Sequence, residues 1–193
     1  VTLNSSGSGA AGGLCGNLAS GINDVTFSDR IYNCYSTANV SASGSNGLDI
    51  GGLVGYIGSS VYVENSYSAG SVSVTGSIGN NAGGLIGYVG GGSVNKCFAA
   101  APSVKNTYSE VIKNGAAVAG RLVGNLGSGS VNSCIARSDT AITRTTYFDD
   151  GCDTGNTTST APSCTAESST FSYGSDTKSL LGWSSPWVSN GST

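Results

Sequence analysis

GGLVGYIGSSVYVENSYSAGSVSV, residues 51–74, carries a phrase that the chain uses four times. It returns as GGLIGYVGGGSVNKCFAAAPSV from Gly83 and as GRLVGNLGSGSVNSCIARSDT from Gly120, and it occurs earlier as GGLCGNL from Gly12. Within each copy the spacing is strict. Leu14/Gly16/Leu18, Leu53/Gly55/Ile57, Leu85/Gly87/Val89 and Leu122/Gly124/Leu126 all read Leu-x-Gly-x-aliphatic, the period of two expected of a β-strand. The central glycine offers no side chain, which marks a place where another backbone or a bulky group crosses.

A turn of small residues follows each strand: Gly58-Ser59-Ser60, Gly90-Gly91-Gly92, Gly127-Ser128-Gly129 and, more loosely, Ala19-Ser20-Gly21. Next comes a second word, aliphatic, two polar residues, Cys or Ser, then an aromatic or Ile. It reads Ile31-Tyr32-Asn33-Cys34-Tyr35, Val63-Glu64-Asn65-Ser66-Tyr67, Val94-Asn95-Lys96-Cys97-Phe98 and Val131-Asn132-Ser133-Cys134-Ile135. A third short strand closes the unit, clearest at Asn39-Val40-Ser41 and Ser71-Val72-Ser73-Val74. Units this small bury their apolar face only by stacking on copies of themselves. The expected fold is therefore all-β, a parallel β-solenoid (β-helix) of about four repeat rungs with a disulfide-containing C-terminal cap. A sandwich or barrel has no reason to repeat one phrase four times.

The expected boundaries are residues 1–11 as an N-terminal extension or linker strand, 12–145 as the solenoid and 146–193 as the capping segment. The key leucines Leu14, Leu53, Leu85 and Leu122 are unevenly spaced, so the repeats must carry loops of variable length. Eight Lys+Arg against eleven Asp+Glu among 193 residues give a net charge of −3, which argues against nucleic acid or an anionic membrane as partner. No apolar run approaches the ~18–20 residues of a membrane helix. With no signal peptide at Val1, the expectation is a mature or excised segment.

The repeats resemble the GLUG repeat, carried here by GGLVGYIGSS, GGLIGYVGGG and AGRLVGNLGSG, each followed by an Asn-rich segment such as ENSYSAGSV. The tail is similar to the closing segment of such arrays, in Thr146-Tyr147-Phe148-Asp149-Asp150, Asp176–Trp183 and Trp187. Two copies depart from the pattern, with Asn17 and Asn125 where the middle copies have Tyr56 and Tyr88, and with Arg121 at the second glycine of the last. Atypical terminal repeats suit capping. The resemblance implies a bacterial surface protein, either adhesin-like or the non-catalytic repeat region of an IgA-cleaving metallopeptidase.

Six cysteines are compatible with three disulfides and a secreted setting. Cys97 and Cys134 hold the same place in adjacent repeats and would stack one rung apart, within the ~4.4–6.8 Å Cα separation a bridge tolerates. Cys15 would pair with Cys34 inside the first repeat, and Cys152 with Cys164 across a Thr/Ser/Gly loop. Reduced core thiols are the alternative. Sequons at Asn4, Asn39, Asn156 and Asn190 support an extracellular location with glycosylation.

Catalysis finds no constellation. With no His, neither a nucleophile–His system nor a His-Glu-x-x-His zinc motif exists. Asp24, Asp29, Asp49 and Glu64 are scattered singly, whereas glycoside hydrolysis needs two carboxylates ~5–10 Å apart. Asp149, Asp150, Asp153 and Asn156 lack calcium-loop spacing and read as turn formers, so no metal and no cofactor is expected. Tyr56 and Tyr88 share a repeat position away from the Leu/Gly face and are the binding candidates; Tyr35, Tyr67 and Phe98 read as a packing ladder. The expectation is thus a non-enzymatic extracellular structural or adhesive protein, a surface or fibre-forming subunit that assembles head-to-tail into filaments or adjoins neighbouring domains. The alternative is a module of a larger surface protein that binds a glycan or a host protein.

Overall fold

The computed structural model describes residues 1–19, 29–44, 46–76, 79–108, 115–116, 118–144, 146–148, 151–153 and 164–167. Strands of successive repeats pair in parallel and in register, forming a β-solenoid. Each rung has five strands where the sequence suggested three. The first holds β1 (Thr2–Ser5), β2 (Gly9–Gly12), β3 (Cys15–Leu18), β4 (Asp29–Tyr32) and β5 (Tyr35–Ser36). In the second lie β6 (Val40–Gly44), β7 (Leu48–Gly51), β8 (Val54–Ile57), β9 (Val61–Glu64) and β10 (Tyr67–Ser68). The third comprises β11 (Val72–Gly76), β12 (Asn81–Gly83), β13 (Ile86–Val89), β14 (Ser93–Asn95) and β15 (Phe98–Ala99).

The fourth runs through β16 (Ser103–Tyr108), an added β17 (Gly115–Ala116), β18 (Val118–Gly120), β19 (Val123–Leu126), β20 (Ser130–Asn132) and β21 (Cys134–Arg137). β22 (Ala141–Arg144) and β25 (Cys164–Glu167) extend the first and fifth sheets by one strand. β23 (Thr146–Phe148) and β24 (Gly151–Asp153) form a small antiparallel sheet with β17. Residues 1–11, set apart in the sequence as an extension or linker strand, are part of the first rung: they supply β1 and all of β2 but Gly12, and these strands pair with β6 and β7.

Two features account for the extra strands. The second word is a corner between two short strands rather than one strand. Its polar position is left-handed in every rung, with φ of 55° at Asn33, 47° at Asn65, 50° at Lys96 and 50° at Ser133. Asn tolerates that region better than other side chains, which is why Asn fills it twice. The segment before each Gly-Gly is also a strand, hidden by its glycines. An alanine Cβ at Gly55 would lie 2.5 Å from the Gly16 carbonyl oxygen and 2.6 Å from both the Ala11 nitrogen and the Asp49 oxygen. The backbone that crosses the central glycine is therefore the preceding strand of the same rung and its neighbour.

The rung is pinched at its second glycine. A Cβ at Gly52 would approach Ser68 Cβ to 2.9 Å, and Ser68 Oγ donates to the Gly84 carbonyl at 2.6 Å. The pinch divides the interior into two apolar compartments. One holds Leu53, Val54, Ile57, Val61, Val63 and their rung equivalents; the other holds Val40, Leu48, Ile50, Val72, Val74 and Val104. In-register aliphatics pack as columns along the axis, so the hydrophobic driving force and the backbone ladders act together.

Candidate binding groove

Tyr56 and Tyr88 occupy one register position of the third sheet, in a column Asn17–Tyr56–Tyr88–Asn125. Both are partly exposed, with ring centroids 5.6 Å apart at 61°. Tyr56 leans along the axis over Gly90, where an added Cβ would come within 2.8 Å of its hydroxyl. Tyr88 meets Gly127 in the same way. Glycine two places after the same register position in the next rung, Gly90 for Tyr56 and Gly127 for Tyr88, thus lets each ring lie over the surface.

The second sheet runs beside this column and carries Ala10, Asp49, Asn81 and Val118 in register. Asn81 Nδ2 donates to Asp49 Oδ1 at 2.7 Å, which fixes the carboxylate. Burial raises the Asp49 pKa above 3.8, and the Asn81 hydrogen bond partly offsets the shift. Ser8, Gly9, Ala10, Asn17, Gly47, Asp49 and Tyr56 line a groove of about 320 Å³. That lies near the lower end of the ~300–1,000 Å³ typical of small-molecule sites.

The remaining candidates are dispersed. Asp29 and Glu64 belong to the fourth sheet, away from Asp49, and Glu64 lies 3.8 Å from the Arg30 guanidinium. Asp24 falls outside the described residues. Tyr35 and Tyr67 stack at 5.2 Å and 9°, continuing to Phe98, which is only 1% exposed. Cys15, Cys34, Cys97 and Cys134 are thiols. Cys97 and Cys134 sit one rung apart in the core, donating to the Asn95 and Asn132 carbonyls at 3.1 and 3.2 Å, and burial pushes the Cys97 thiol up. β25 sets Cys164 opposite Cys134 in the backbone register, and Cys152 lies in β24 of another sheet.

Asn4 and Asn39 are exposed on the first sheet and at its entrance. Asn4 Oδ1 accepts from Ser43 Oγ at 2.7 Å, and Asn39 Oδ1 accepts from the Ser71 amide at 2.9 Å. Asn156, Asn190, Asp149 and Asp150 lie outside the described residues. Among the described residues no group of three or more His, Cys, Asp or Glu is placed to hold a metal ion. No helix among them is long and apolar enough to cross a membrane.

The first rung leaves its core positions open. Val1 is in register with the buried Val40, Val72 and Val104, yet is 55% exposed. Leu14 matches the fully buried Leu53, Leu85 and Leu122 but is 49% exposed. Among the described residues the exposed large hydrophobics are Val1, Leu14, Tyr32 and Tyr35, all in this rung.

No protein-family model matches the chain, and no curated protein matches it. The solved structure of a Bacteroides ovatus protein proposed to be an immunoglobulin A1 protease is similar, with a TM-score of 0.56 and 26% identity. The match covers 86% of this chain and 46% of that one, so this chain spans less than half the length of the protein it resembles.

Proposed function

We propose that this chain is a non-catalytic β-solenoid segment of a longer extracellular surface protein of the GLUG-repeat kind, with a structural or adhesive role. Its first-rung end accepts one more rung of the same type from a neighbouring part of that protein. The observation that carries the reading is the exposure of Val1 and Leu14 at positions that every later rung buries. A solenoid end without a polar cap leaves apolar columns and strand edges unpaired. Among the described residues, the second and third rungs each lie between two other rungs. The similar Bacteroides ovatus chain is more than twice as long as the matched region, which supports supply from the same polypeptide.

Placing a copy of residues 40–71 ahead of Val1 tests this. The extended protein should remain monomeric, melt higher and protect Leu14. An unchanged melting temperature with Leu14 equally accessible would overturn the reading. Concentration-dependent polymers of the unextended chain, lost on adding the rung, would assign the end to a second copy and restore the head-to-tail filament.

A further inference from the structure

We propose that the groove between the second and third sheets is a glycan subsite, taking a hydroxyl-rich pyranoside against Tyr56 with its hydroxyls on Asp49 and Asn17. The half-exposed Tyr88 one rung along receives the adjoining sugar. The lining supports this ligand class. A pyranose has an apolar C–H face and a polar rim, and the groove presents an aromatic ring beside a carboxylate and an amide.

Asp49 is held through one oxygen by Asn81 at 2.7 Å, and a carboxylate retains acceptor capacity beyond a single bond. Asn17 supplies both donors and an acceptor. The rest of the lining is Ser8 and the small residues Gly9, Ala10 and Gly47, with no deep apolar pocket to anchor a peptide side chain. Tyr56 and Tyr88 recur at the rung spacing of ~4.8 Å, about the length of one pyranose unit, so two adjoining sugars can lie along the axis in step with these two rungs. Ser8, Gly9, Ala10 and Asn17 of the first rung and Gly47, Asp49 and Tyr56 of the second line the site.

The test is calorimetry of the intact chain with cello-, manno-, galacto- and chito-tetraose, backed by an immobilised panel of mucin-type oligosaccharides. At least one should bind. Tyr56→Ala should weaken it tenfold or more, Tyr56→Phe less than threefold, and Tyr62→Ala, outside the groove, not at all. Asp49→Ala provides a second variant if Tyr56→Ala fails to fold, and it should also lose at least tenfold. Saturation-transfer spectra should place the sugar C–H protons on the tyrosine rings. Absence of binding across the panel, or binding that survives both Tyr56→Ala and Asp49→Ala, overturns the proposal.

Discussion

Gly55→Ala should destabilise the protein by about 3 kcal/mol although it adds a single methyl group. The new Cβ would lie 2.5–2.6 Å from three backbone atoms, the Gly16 oxygen, the Ala11 nitrogen and the Asp49 oxygen. None of these is the tip of a flexible side chain that can swing away. Relief requires β2, β3 and β7 to move away from β8, which disturbs the ladders they form. Overpacking costs ~1–3 kcal/mol where side chains can adjust, so a contact made wholly with backbone belongs at the upper end of that range. For a chain of this size ~1 kcal/mol corresponds to ~2–4 °C, giving a fall of roughly 6–12 °C. Gly7→Ala is the matched control, because a Cβ there meets nothing within 4 Å. It should fall within about ±0.5 kcal/mol of the parent, as surface substitutions do. Thermal and urea unfolding followed by circular dichroism measure both. Melting of Gly55→Ala within about 1 °C of Gly7→Ala would refute the close crossing of strands.

Three further outcomes follow from the same geometry. Leu85→Ala should cost ~2–5 kcal/mol as a core truncation, whereas the half-exposed Leu14→Ala should cost about 1 kcal/mol or less; equal losses in urea unfolding would contradict the open first rung. Lys96→Asn should stabilise by ~0.5–1 kcal/mol, since Lys96 is exposed and left-handed at 50° and such a backbone costs most side chains ~1–2 kcal/mol, so an unchanged or lower urea midpoint would count against the corner. The raised Asp49 pKa means that its folded form prefers the proton. This group's contribution to stability is therefore full below 3.8 and is lost as pH rises through the raised value. Asp49→Asn should accordingly be at least as stable as the parent at pH 7 and should lose that part of the pH dependence; a less stable variant at pH 7 would show that burial does not dominate.

The repeat was legible because Leu-x-Gly-x-aliphatic recurs with a strict period of two, and only stacked strands give a reason for four copies. The five-strand rung was not. Segments such as Asp49-Ile50-Gly51 and Ala82-Gly83-Gly84 look like turns when glycine is read as flexibility, yet their glycines permit close passage of backbone. The Lys96 and Ser133 corners were hidden for the opposite reason, since a left-handed residue inside an apolar word leaves no mark when it is neither glycine nor asparagine. Tyr56 and Tyr88 could be singled out by repeat position. Asp49 looked isolated because its partner Asn81 lies 32 residues away, and aligning the residues two places before each Gly-Gly would have joined them. The exposure of Leu14 had no signal in the chain at all, because its residue type is the same as that of its buried equivalents.

Hydrogen exchange read rung by rung, on the chain alone and with residues 40–71 repeated ahead of Val1, tests the central claim most directly. In the chain alone the amides of β1–β5 should exchange faster than those of β6–β15, and the added rung should bring β1–β5 to the protection of β6–β10. Uniform protection of the first rung in the unextended chain, or no gain on extension, would contradict an end built to carry another rung.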